Sequence, residues 1–94
     1  MISRHLIITG RVQGVGFRDA LCDEAEKRGI TGWVRNRREG SVEALVQGAP
    51  DAVDAVLAWA RRGPAAAHVA EIRIGPPAAE FEQPYTAFER WPTA

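Results

Sequence analysis

Nine residues near the amino terminus, GRVQGVGFR from Gly10 to Arg18, place three glycines and two arginines directly after an apolar run. Such a stretch is suited to holding an anion. Glycine admits left-handed backbone and lets main-chain N–H groups converge on one point, and a helix starting at the same place adds the positive end of its dipole. Arg18 follows with a planar fork of donors that pairs with a phosphate through two hydrogen bonds. Spacing excludes the nucleotide loops. A P-loop needs G-x-x-x-x-G-K-[ST], and the chain has no Lys-Ser or Lys-Thr pair. The dinucleotide turn G-x-G-x-x-G, counted from Gly14, would put its last glycine at Asp19.

Asn36 is the second residue of chemical interest, set between arginines in GWVRNRREGSV. An amide has low strand propensity. It can satisfy a backbone group beside a turn, or hold a water by donating and accepting hydrogen bonds without removing its proton. An anion nest, an arginine and a water-holding amide suffice to hydrolyse a phosphoryl compound whose leaving group is good. An acyl phosphate meets that condition: its departing carboxylate has a conjugate-acid pKa of about 4, so no general acid is needed. Phosphate monoesters do not fit such a site.

The elements that must position these residues follow from periodicity and turn chemistry. RHLIITGRV, Arg4 to Val12, is rich in β-branched residues and apolar on both faces, which predicts a central strand. RDALCDEAEKR, Arg18 to Arg28, predicts a helix stopped by Gly29. TGWVRNR and SVEALVQ flank Arg38, Glu39 and Gly40 as a hairpin, with Val42, Ala44 and Val46 sharing one face. Pro50 and Asp51 open a second helix through about Arg62, whose Val53, Val56, Leu57 and Ala60 recur at helical spacing before Gly63-Pro64. HVAEIRIG reads as a strand, PPAAEFEQP as a surface connection and YTAFERW as a short last strand. The order β-α-β-β-α-β, with one more strand, predicts an α+β, ferredoxin-like (split βαβ) sandwich: an antiparallel sheet with two helices on one face.

The totals bound the rest. A chain of 94 residues is expected to form a single domain, residues 1–94. With 12 basic and 12 acidic residues, no cationic excess supports nonspecific binding to nucleic acid. Cys22 is the only cysteine, so neither an intramolecular disulfide nor a cysteine-based metal site can form, which fits a reducing compartment. The amino terminus lacks the pattern of a signal peptide and no segment approaches a membrane span, so a cytoplasmic protein without membrane partners is expected. No obvious apolar patch argues against a monomer.

GRVQGVGFR and GWVRNRREGSVEALVQG together resemble the two signatures of the acylphosphatases, GxVQGVxFR and GWVxNxxDGxV, and the similarity runs from the first strand to Phe88. The resemblance implies a metal-free, cofactor-free hydrolase of the carboxyl-phosphate bond that takes a small acyl phosphate and releases inorganic phosphate. At the matching positions it implies that Arg18 binds the phosphate, that Asn36 orients the water, and that the backbone of Gln13, Gly14, Val15, Gly16 and Phe17 forms the cradle. Two departures stand out. Glu39 occupies the place of the usual turn aspartate, which bears on turn geometry. Asp19 stands where relatives often carry an aromatic residue, and is read as a helix cap. The alternative is a noncatalytic or weakly active domain that binds a phosphorylated or carbamoylated group, as occurs within larger hydrogenase-maturation proteins; the short chain is read as favouring the enzyme.

Other chemistry-bearing residues receive simpler readings. Cys22 lies within a predicted helix with no histidine near it in sequence, so a buried thiol is expected rather than a nucleophile. His5 and His68 fall on separate strands and are expected to be exposed or partner-satisfied. Arg35, Arg37 and Arg38 form a basic run, read as a solvated strand end that can also guide an anionic substrate. Trp33, Trp59 and Trp91 are assigned to core or edge packing. The central strand SVEALVQ carries no aromatic residue of the kind an RNA-recognition sheet would display.

Overall fold

The computed structural model describes residues Met1 to Ala94. Its elements are β1 (Ile2–Arg11), α1 (Phe17–Lys27), β2 (Thr31–Asn36), β3 (Val42–Gly48), α2 (Pro50–Arg62), β4 (His68–Gly75), a 3-10 turn at Ala79–Phe81 and β5 (Phe88–Arg90). The sheet runs β4-β1-β3-β2-β5. The first four strands pair antiparallel, as the split βαβ order requires. β5 departs from the expected all-antiparallel sheet: it lies parallel to β2, with Gly32 opposite Phe88 and Val34 opposite Arg90. The chain reaches that edge from the far end of β4, and this crossing reverses its direction relative to a hairpin partner.

Period-2 alternation puts Leu6 and Ile8 of β1, Val34 of β2, and Val42, Ala44 and Val46 of β3 on one face, where they meet Phe17, Leu21 and Ala25 of α1 and Val53, Val56 and Ala60 of α2 in one buried cluster. The β3 set shares a face as its alternation predicts. β1 is less buried than its composition suggests, since only Leu6 and Ile8 are fully covered; β3 is buried at every position and is the true centre of the sheet.

The opposite face shows why. Register places Arg35 directly across from Glu43 and Trp33 across from Leu45. The segment following β4, read from sequence as a surface connection, folds back over them. Phe81 sits with its ring 4.9 Å from that of Trp33, and Trp91 stacks on Trp33 at 4.3 Å and 7°. Tyr85 anchors the segment, its backbone N–H donating to Gln47 Oε1 at 2.9 Å and its hydroxyl to the Phe81 carbonyl at 2.9 Å. Trp33 is thereby wholly buried on the face away from the helices. Beyond β5, the Ala94 N–H donates to the Asn36 carbonyl and the Arg38 N–H to the Ala94 carbonyl, so the carboxyl-terminal residues brace the end of β2 that carries Asn36.

Candidate active site

The first strand ends in a bulge at Thr9/Gly10, and the chain then turns into α1 through Gly14 (φ 73°) and Gly16 (φ 79°). The glycines of the motif divide their work. Gly10 is a matter of space, because a Cβ there would lie 2.2 Å from the His68 carbonyl oxygen of β4. Gly14 and Gly16 have open space around them, and what they supply is the left-handed backbone that curls the loop. Gly16 occupies the N-cap position of α1 with no side-chain cap. Asp19, expected to cap the helix, does not; its carboxylate pairs instead with the Arg90 guanidinium.

Ala20 is the first residue to bond back into α1, its N–H donating to the Gly16 carbonyl at 3.1 Å. The N–H groups before it in the first turn have no carbonyl four residues back within the helix. Two anchors hold this loop. The Phe17 ring is buried beneath it and meets Trp59 of α2 edge-on at 5.5 Å. The Gln13 side chain crosses to the hairpin, where its Nε2 donates to the carbonyls of Arg37 at 2.7 Å and Ser41 at 2.8 Å. Gln13, expected to contribute backbone, therefore also ties the loop by its side chain to the strand end that carries Asn36.

Loop and strand end enclose a cavity of about 230 Å³ lined by Val12, Gln13, Gly14, Gly16, Phe17, Arg18, Asp19, Asn36 and Arg90. The structure thus brings together Arg18, Asn36 and the glycine turn, whose residues are up to 23 positions apart in the chain. Val15, named with the cradle, is not among the lining residues; it is half-buried and packs against the core. Val12 and Arg90 were not anticipated. No local signal in the sequence points to Arg90, which lies 71 residues from its partner Asp19.

Two polar groups here are left unpaired by the protein. Arg18 takes part in none of the chain's ion pairs. Asn36 Oδ1 is buried and has no hydrogen-bond partner, a situation that costs about 1–3 kcal/mol unless a ligand or water fills it. An arginine without a counter-ion, an acceptor without a donor and a helix N-terminus facing one small cavity together suit an anion approached by a water.

A wider depression of about 790 Å³ on the open face of the sheet contrasts with it. There Glu43 accepts from His5 Nε2 at 2.6 Å, Arg35 Nε at 2.7 Å and Arg37 Nη1 at 3.3 Å. Burial would raise the Glu43 carboxyl, but the His5 and Arg35 hydrogen bonds outweigh it and hold the pKa below the ordinary value. Arg35 also lies over the Trp33 ring at 5.1 Å. Two of the three arginines expected at a solvated strand end are therefore committed to structure, and only Arg38 is exposed. His5 is partner-satisfied and His68 exposed. Glu39 caps the hairpin turn by accepting from the Ser41 N–H at 3.1 Å and from the Ser41 hydroxyl, and that hydroxyl is the main reason its pKa is lowered. Burial pushes the half-buried Cys22 thiol up, and Asp19 and Glu26 reinforce the shift, so the thiol stays protonated. No three His, Cys, Asp or Glu side chains converge on one point. No helix is long and apolar enough to cross a membrane.

The same fold recurs in known proteins. The family model described as Acylphosphatase matches residues 4–89. An acylphosphatase of Thiobacillus denitrificans is 51% identical over 90 residues, covering 96% of this chain and 97% of its own length. One from Azorhizobium caulinodans is 59% identical over 68 residues, 72% of this chain and 73% of its own. Among solved structures, the Bacillus subtilis acylphosphatase superposes with a TM-score of 0.88 at 34% identity, covering 97% of this chain and 99% of that one. With the turn, the strand asparagine and the arginine in one cavity, and with these likenesses along almost its whole length, the chain belongs to the acylphosphatase family.

Proposed function

We propose that this protein hydrolyses acyl phosphates to a carboxylate and inorganic phosphate by direct attack of water on phosphorus, with Arg18 and Asn36 as its catalytic residues. The cradle formed by the backbone from Gln13 to Phe17 receives the phosphoryl group. Its N–H groups, the α1 dipole and the Arg18 fork offset the charge on the nonbridging oxygens as it redistributes in the transition state. Asn36 Oδ1 accepts one hydrogen of a water and turns its lone pair toward phosphorus. The bond from phosphorus to the bridging oxygen breaks, the weakly basic carboxylate leaves unprotonated toward solvent, and the proton shed by the water ends on phosphate. No covalent enzyme intermediate and no cofactor enter this scheme.

The observation that carries the proposal is that Arg18 and Asn36 Oδ1, from separate elements, line one cavity and are both without protein partners. The reading as a binding module that does not turn over is not favoured, since its relatives along the length of the chain are named acylphosphatases. Working as a monomer in the cytoplasm fits a surface whose large exposed hydrophobic residues are Met1 and Ile74, and a single, unpaired cysteine.

The test is release of benzoate from benzoyl phosphate in the presence of a chelator, by the wild type, Arg18→Ala and Asn36→Ala. Turnover by the wild type and its severe loss in both folded variants is expected. An inactive wild type, or variants that keep full rate, would overturn the proposal, and strict dependence on added metal would overturn the metal-free scheme.

A further inference from the structure

Asp19 and Arg90 line the same cavity as Arg18 and Asn36, yet the scheme above gives them no part. Arg90 stands on β5 two residues after the buried Phe88 and directly beside Val34, which points into the core. Strand alternation therefore aims Arg90 at the helix side of the sheet, where it reaches across to the first turn of α1 and pairs with Asp19. Both side chains are largely in water, at 50% and 71% exposure. An ion pair this exposed contributes little, so exchanging one carboxylate for another on Arg90 costs little as well.

Their place in the cavity is also informative. Arg18 and Asn36, which serve the phosphoryl group, are only partly exposed, whereas Arg90 and Asp19 are the exposed charged residues of the lining, and the acyl portion, which must extend toward solvent, meets them. We infer that Arg90 is a specificity-determining residue that engages an anionic group on the acyl portion, so that acyl phosphates bearing a further carboxylate are bound in preference to neutral ones. Asp19 acts as a resident stand-in for that carboxylate and is displaced by it. The inference rests on the acyl phosphate hydrolysis proposed above.

The experiment compares benzoyl phosphate with 4-carboxybenzoyl phosphate, which adds one carboxylate away from the reacting bond. The readout is the ratio of the two KM values, which cancels any effect of the variant on the shared phosphoryl group. Arg90→Gln is expected to reduce the preference for the carboxylated substrate about fivefold, acting on KM more than on kcat. Arg90→Lys, which keeps the charge but not the fork, should restore part of it. Asp19→Asn should increase the preference, and the increase should vanish in the Asp19→Asn, Arg90→Gln double variant. Thermal unfolding near the wild-type temperature will show that the variants are folded, as expected for an exposed pair. A KM ratio indifferent to Arg90→Gln, including a case in which both KM values rise equally, would overturn this inference while leaving the hydrolase intact. Failure of the wild type to hydrolyse either substrate would overturn both.

Discussion

Two polar clusters lie close together near the Asn36 end of β2, and they are completed in opposite ways. Around Glu43 each polar group has a partner: His5, Arg35 and Arg37 converge on one carboxylate that is 9% exposed, and the aromatic rings of Trp33, Phe81 and Trp91 surround Arg35. Around the glycine turn, Arg18 has no carboxylate and Asn36 Oδ1 has no donor. The clusters adjoin, since Arg37 gives its side chain to Glu43 and its carbonyl to Gln13. A chain that can satisfy two arginines and a histidine with one carboxylate on one face has not failed by accident to satisfy one arginine at the end of the sheet. Groups left unpaired in a built cavity await a ligand, and the largely buried, paired groups around Glu43 hold the fold.

That contrast can be broken by substitution, with the first cluster expected to yield in stability and the second in activity. The largest effect is expected from Arg18→Ala, which removes two charge-assisted contacts to phosphate and should lower kcat/KM for benzoyl phosphate on the order of 10³-fold. Its denaturation midpoint should stay close to wild type, because no protein partner is lost.

Asn36→Ala comes next. Turnover should fall by about 10², the cost of losing a positioning group. Stability should hold or rise by about 1 kcal/mol, since a buried acceptor without a partner is removed. A clear loss of stability would mean that Asn36 belongs with the structural cluster.

Glu43→Gln should behave in the reverse way. Leaving Arg35 and Arg37 without their counter-charge should cost about 2 kcal/mol in urea denaturation, less than for a fully buried pair because both arginines keep some solvent. Turnover per folded molecule should change far less than in the Asn36 variant. The pH dependence has a definite sign. A folded-state pKa held below the ordinary value of 4.5 contributes stability that is fully present above that value and is lost as pH falls through the lowered one. The wild type should therefore lose stability in acid below about that point, and Glu43→Gln should flatten this part of the profile.

The smallest effect belongs to Cys22→Ala. A thiol kept protonated by burial and neighbouring carboxylates has no nucleophilic part, so benzoyl phosphate turnover should be unchanged. A rate loss there would place a third group in the site.

Much of this could be read from the chain because it is local. The glycine turn is contiguous in sequence, and the left-handed φ at Gly14 and Gly16 needs no distant partner. Val42, Ala44 and Val46 share a face because strand geometry alternates. The hairpin register also carries a usable signal: with Asn36 opposite Val42, Arg35 must lie across from Glu43, which removes that arginine from the count of free cations. Phe81 was harder, since one aromatic residue among polar neighbours has no period to declare its burial. Position alone points Asp19 to a cap, whereas its partner comes from the last strand.

The sequence by itself determined the pieces: a glycine-rich turn, two amphipathic helices, a hairpin that bears an asparagine, and a family likeness carried by two short motifs. These depend on backbone preferences and side-chain periods that act over a few residues. Only the tertiary structure decided what shares a cavity, that β5 enters parallel to β2, and that Arg90 lines the pocket beside Asp19. Those outcomes depend on strand order and register, where a one-residue slip would turn every side chain to the other face, and no local rule specifies them.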